Sequence, residues 1–119
     1  MCICEKWVSY LDVPVKTSEM EGIILDWAVT RANYEINYEV IWEGDDRSNY
    51  SVDWAAAGPI IERERIQLRS SFDEEGWTAS VWHNNTTIFE HGETALIAAM
   101  RCYVASALGE AVEIPEGLK

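Results

Sequence analysis

Tyr50-Ser-Val-Asp-Trp-Ala-Ala-Ala-Gly-Pro-Ile-Ile-Glu-Arg-Glu-Arg65 decides the fold, because its reading fixes where helix gives way to strand. A polar approach with turn chemistry ends in Asp53-Trp54. Three alanines lead to Gly58-Pro59, a pair that marks a break in regular structure. In an extended chain, Glu62 and Glu64 fall on one side and Arg63 and Arg65 on the other. That alternation predicts a strand from Ile60 to Leu68, with charges that discourage edge-to-edge association. The residues before Ile60 then form a loop carrying an acid, an indole and a run of small side chains. Asp53, Trp54, Gly58, Pro59, Glu62 and Arg63 are accordingly candidate ligand contacts. The plainer reading has Asp53 capping a turn, Trp54 in the core and Gly58-Pro59 shaping a tight connection. The paired charges are then surface ion pairs worth ~0–1 kcal/mol each.

Upstream, Ser18 and Glu21 have the spacing of a capping box, so a helix is expected from Thr17-Ser18. Met20, Ile23, Ile24, Trp27 and Ala28 follow helical spacing, and Asn33-Tyr34 is the expected stop. Ile36, Tyr38, Val40 and Trp42 alternate with polar residues, which predicts a half-buried strand. Downstream, Trp77 to Trp82 and Thr86 to Glu90 read as a hairpin joined by Asn84-Asn85, residues that tolerate the positive φ of a tight turn. A second helix is expected from Thr94 to Leu108, with Thr94 as N-cap and Gly109 as stop. Its core stripe includes Leu96, Met100, Tyr103 and Val104. Arg101 lies off that stripe and is the seventh candidate contact. The alanines and Cys102 of this helix allow close approach to a sheet or to a second copy, so a homodimer is expected. The predicted order is α-β-β-β-β-α: an α+β fold with an antiparallel sheet of three to five strands covered on one face by two helices. Residues 1–14 read as an N-terminal arm whose Trp7, Val8, Tyr10 and Leu11 are apolar enough to dock. Residues 15–114 read as one domain and 115–119 as a flexible acidic tail.

The chain has 119 residues, 21 acids and 9 bases, for a net charge of −12. This balance repels phosphate backbones and argues against nucleic-acid binding, although the element order is similar to that of double-stranded RNA-binding domains. No apolar run reaches the roughly 18 residues needed to span a bilayer. With no secretory signal visible, the cytoplasm is the expected location. Three cysteines, Cys2, Cys4 and Cys102, argue against a disulfide framework. Cys2-Ile-Cys4 lacks the other half of a zinc site, and no metal or cofactor is expected.

Four stretches carry a family resemblance: Leu25-Asp-Trp-Ala-Val29, Ser51-Val-Asp-Trp-Ala55, Gly58-Pro-Ile-Ile-Glu-Arg-Glu64 and Leu96-Ile-Ala-Ala-Met-Arg-Cys-Tyr-Val-Ala-Ser106. From Val15 to about Gly117 the chain resembles the NinX-like proteins, small proteins of phages and prophages. It departs from their pattern at Ala95, where members carry proline, and at Ala56-Ala57, where Gln-Gly is frequent. The resemblance implies a phage origin and a role dispensable for building virions, and it brings no catalytic residues.

No nucleophile–base pair, phosphate loop or metal constellation stands out, so binding rather than catalysis is expected. One reading is a protein that sequesters a small nucleotide-like molecule, its aromatic surface stacking a base and Arg63, Arg65 or Arg101 meeting phosphate. The alternative is an acidic inhibitor of a basic host protein, with electrostatics raising the association rate.

Overall fold

The computed structural model describes residues 12–37, 49–70, 76–115 and 117. Among these it shows an α+β fold with three α-helices and five strands in two antiparallel sheets. The larger sheet is a meander of β2 (Gln67–Ser70), β3 (Trp77–His83) and β4 (Thr86–Gly92). The smaller pairs β1 (Asp12–Lys16) with β5 (Ala111–Pro115).

The β3–β4 hairpin forms as its turn chemistry requires. Asn84 and Asn85 take φ of 52° and 63°, the two successive positive values of a type I′ turn. This fixes the register at His83 opposite Thr86 and Val81 opposite Ile88. Ala79 and Val81 are buried, so the side chains between them face the other way.

Helix α3 (Ala95–Leu108) packs on all three strands of the meander. Thr94 caps it, its hydroxyl accepting from the Ile97 N–H at 3.1 Å. Leu96, Ala98, Ala99, Met100, Cys102, Tyr103, Val104 and Ala105 are all buried. A helix apolar on so many sides needs cover on more than one. The sheet takes one side and α1 (Gly22–Asn37) packs against another. The small residues let backbones approach closely: a Cβ added at Gly92 would sit 2.6 Å from the Ala98 nitrogen. The Cys102 thiol lies 3.5 Å from the Ile88 carbonyl oxygen. The small residues of α3 thus meet the chain's own β4.

Several expected elements differ. The strand over 60–68 is instead the end of helix α2 (Trp54–Glu64) followed by β2. Gly58-Pro59 does not break the chain but lies inside α2, where Pro59 leaves the Ala55 carbonyl without its helical donor. Ala55 is exposed, so water can satisfy that group. The helix ends without glycine. Arg65 takes the left-handed position at φ 58°, ψ 45°, and the Ile66 N–H closes back on the Ile61 carbonyl at 3.1 Å. This is the Schellman arrangement, sealed by buried Ile66 near half-buried Ile61.

The capping box at Ser18 is also replaced. Thr17–Glu19 form a 3-10 turn, and α1 starts at Gly22, which has φ of +59°. Thr17 is buried and its hydroxyl donates to the Gly109 carbonyl at 2.7 Å, joining the chain's first segment to the end of α3. Helix α1 runs on to Asn37, so the strand expected from Ile36 does not begin there, and 38–42 lie outside the described residues. Residues 12–14 belong to β1 rather than to an arm, and β5 occupies the start of the expected tail. Residues 1–11 also lie outside the described residues.

Candidate ligand-binding site

The seven residues singled out from the sequence fall in three places. Asp53 is the N-cap of α2; its carboxylate accepts from the Ala55 N–H at 2.9 Å. Trp54 opens the helix and is 55% exposed. Gly58 and Pro59 follow inside the helix, Gly58 half-buried and Pro59 exposed. Exposed Glu62 and Arg63 close it, about 14 Å along the axis from Asp53 at the usual helical rise. Arg101 is elsewhere, with Nε donating to the Met20 carbonyl and Nη1 to the His91 carbonyl, both at 2.7 Å. The two ends of α2 and the Arg101 bridge do not converge on one cavity.

The inner side of α2 leads instead to a hydrogen-bonded chain. Arg63 Nη2 donates to the Tyr103 hydroxyl at 3.0 Å, and Tyr103 donates to Asn33 Oδ1 at 2.6 Å. Asn33 Nδ2 in turn donates to the Tyr50 hydroxyl at 3.3 Å. Burial pushes the Tyr103 phenol up to about 12, against the opposing pull of Arg63, so it stays a neutral donor at ordinary pH. Nearby, buried Asp26 accepts from the Ser51 N–H at 2.8 Å, pinning the turn that precedes α2. Among the described residues every buried side-chain polar atom has a partner. The stretches that carry the family resemblance thus pair off: Asp26 with Ser51, and Arg63 with Tyr103. These contacts tie α1, α2 and α3 together.

The open cavity lies on the other side of the molecule's meander. A groove of about 870 Å³ runs along the sheet face turned away from α3, with Glu64 and Arg65 of the α2–β2 corner at its rim. Register builds its floor. Gln67 is opposite Ser80, and Ser80 opposite Phe89; Arg69 is opposite Thr78, and Thr78 opposite His91. Trp82 is opposite Thr87, one step further along. Trp82 and Phe89 are therefore diagonal neighbours on adjacent strands, close enough for both rings to meet one planar partner. They are 68% and 59% exposed. The Arg63 Nε donates to Glu64 Oε2 at 2.8 Å, which offsets the acid at the rim. Among the described residues, Arg65 and Arg69 have no ion-pair partner.

Sequence reading identified the hairpin that carries Trp82 and Phe89 but did not bring the two side chains together. The missing step was the hairpin register, which Asn84-Asn85 already implies. The expected strand includes Arg65; in the structure this residue is the αL end of α2 and lines the groove. No group of His, Cys, Asp and Glu suited to a metal occurs among the described residues. None of their helices is long and apolar enough to cross a membrane.

A comparison with curated proteins gives no significant match. A family model described as Bacteriophage P22, NinX matches residues 16–107, well over half of the chain, and the protein belongs to that family.

Proposed function

We propose that this NinX-family protein is a phage accessory protein that acts by binding rather than by turnover. It sequesters a small nucleotide-like molecule in the cytoplasm of the infected cell and so counters host defence. The observation that carries this reading is the exposed Trp82–Phe89 pair in a groove of about 870 Å³. Exposed aromatic residues in a concave site with a few polar groups suit a planar ligand. The polar Gln67, Ser80 and Thr87 beside them offer hydrogen bonds to its edges.

The test is native mass spectrometry of tagged protein recovered from infected-cell lysate. A retained small mass, released by denaturation and absorbing in the ultraviolet, is the expected result. An apo mass with no bound small molecule overturns sequestration. Capture of a basic host protein, released by moderate salt, supports the inhibitor reading instead, which the net charge of −12 favours.

A further inference from the structure

Resting on that reading, we infer that the groove takes a nucleoside carrying one or two phosphates, its base on Trp82 and Phe89 and its phosphate on Arg65 and Arg69. The two long sides of the groove have different chemistry. One presents a diagonal pair of exposed rings, and a base stacked on aromatic side chains is a sequence-tolerant contact. The other, along β2, presents two guanidinium groups with no ion-pair partner among the described residues, Arg69 level with Thr78 and Arg65 just before β2 on the Trp82 side. By register, Phe89 and Arg69 are two strands and two residues apart, about 12 Å between Cα atoms at standard sheet spacings. A long arginine side chain closes that gap to the distance between the base and phosphate of one nucleotide.

Two further observations bear on phosphate. Arg65 holds a left-handed backbone that glycine would adopt without strain, and its side chain lines the groove. A strained non-glycine residue at a cavity rim points to a side chain kept for what it contacts. Glu64 is the rim's own acid, and Arg63 is bound to it at 2.8 Å. Arg63 is thus a positioning residue that keeps a negative charge from facing the ligand. The net charge of −12 limits the ligand's length: two arginines can meet one or two phosphates, whereas a polynucleotide brings many more charges into a repulsive field.

The experiment is isothermal titration calorimetry of the full chain with the four nucleoside monophosphates, the matching nucleosides and a single-stranded oligonucleotide. At least one monophosphate is expected to bind ten-fold or more tighter than its nucleoside, and the oligonucleotide weakest. Arg65→Gly is expected to bring monophosphate affinity down to that of the nucleoside while raising Tm by a few degrees, so a lost signal is not lost folding. Trp82→Ala should abolish binding of both. Arg63→Ala should weaken the monophosphate and spare the nucleoside, with Arg63→Lys restoring most of the difference. Equal affinity for nucleoside and monophosphate, or full affinity in Arg65→Gly, overturns the phosphate assignment and leaves planar-ligand binding standing. No binding by any monophosphate, beside a small molecule retained from lysate, overturns the ligand class alone.

Discussion

The Tyr103 hydroxyl and the Asn33 side-chain oxygen lie 2.6 Å apart, joining α3 to α1 inside the fold. Tyr103 is fully buried, and Arg63 donates to the same hydroxyl. Removing that oxygen leaves the Asn33 acceptor without its donor in a place water does not reach. Tyr103→Phe is therefore expected to destabilise the protein by about 1–3 kcal/mol. Urea unfolding followed by far-ultraviolet circular dichroism measures it; an unchanged midpoint would show that the interior tolerates an unpaired amide.

High pH should undo the same region. Burial raises the Tyr103 phenol from 10.0 and the Cys102 thiol from 9.0, each to about 12. Both are neutral when protonated, so folding favours the protonated form. Their contribution is complete below the unfolded values and disappears as pH climbs through the folded ones. Stability is expected to fall by a few kcal/mol between about pH 9 and pH 12. Urea midpoints at intervals across that range check it. Cys102→Ala should shift the start of the decline from about 9 toward 10.

The two helices flanking this network differ in how legible they were. Thr94 and Gly109 bracket α3 as a cap and stop should, and the Asn84-Asn85 turn sets its hairpin. In both cases a local side chain does the work, so local reading suffices. Helix α2 hides itself, because its stop is an arginine in the left-handed region and its middle carries proline. Propensity argues against both, and the burial of Ala57 and Ile60, with α2 packed on α3, overrides it. The capping box at Ser18 failed for a related reason: Thr17 is drawn into a long-range contact with Gly109 that no local pattern reveals. Likewise the groove was half visible. The hairpin that holds Trp82 and Phe89 is evident from its turn, but the pairing of Trp82 with Phe89 and Arg65 depends on register and on a helix end.

At Gly92, β4 and α3 approach closely. A Cβ there would lie 2.6 Å from the Ala98 nitrogen and 3.0 Å from its Cα, both backbone atoms that cannot swing aside. Gly92→Ala is expected to push the helix off the strand and cost about 1–3 kcal/mol. Differential scanning calorimetry reads the loss as a lower Tm, and a neutral result would mean that α3 has room to move.

Asp53 separates a capping role from a ligand role. If its carboxylate serves the Ala55 N–H alone, Asp53→Ala should cost about 1 kcal/mol and Asp53→Asn almost nothing, because asparagine caps as well. Thermal denaturation of the two variants checks this. A stable Asp53→Asn variant that nonetheless retains less small molecule from lysate would move the site to the N-terminal end of α2.

Glu90 is the residue whose removal should help. It faces the α3 side of the sheet, and partial burial followed by repulsion from Glu110 holds its carboxyl above the usual 4.5, with Arg101 acting the other way. The ionised form is thus the one the fold disfavours. Its penalty is absent while the group is protonated and appears as pH rises through the raised folded value. Glu90→Gln keeps the shape and removes the charge, so it should gain stability at neutral pH. The group is only half-buried, and screening keeps the gain below about 1 kcal/mol. The discriminating measurement is the difference in urea midpoint between variant and wild type at pH 7 and at pH 4. The difference should be positive at pH 7 and close toward zero at pH 4. A gain that persists at pH 4 would trace to packing of the amide rather than to charge, and a loss at pH 7 would mean that the attraction of Arg101 outweighs burial.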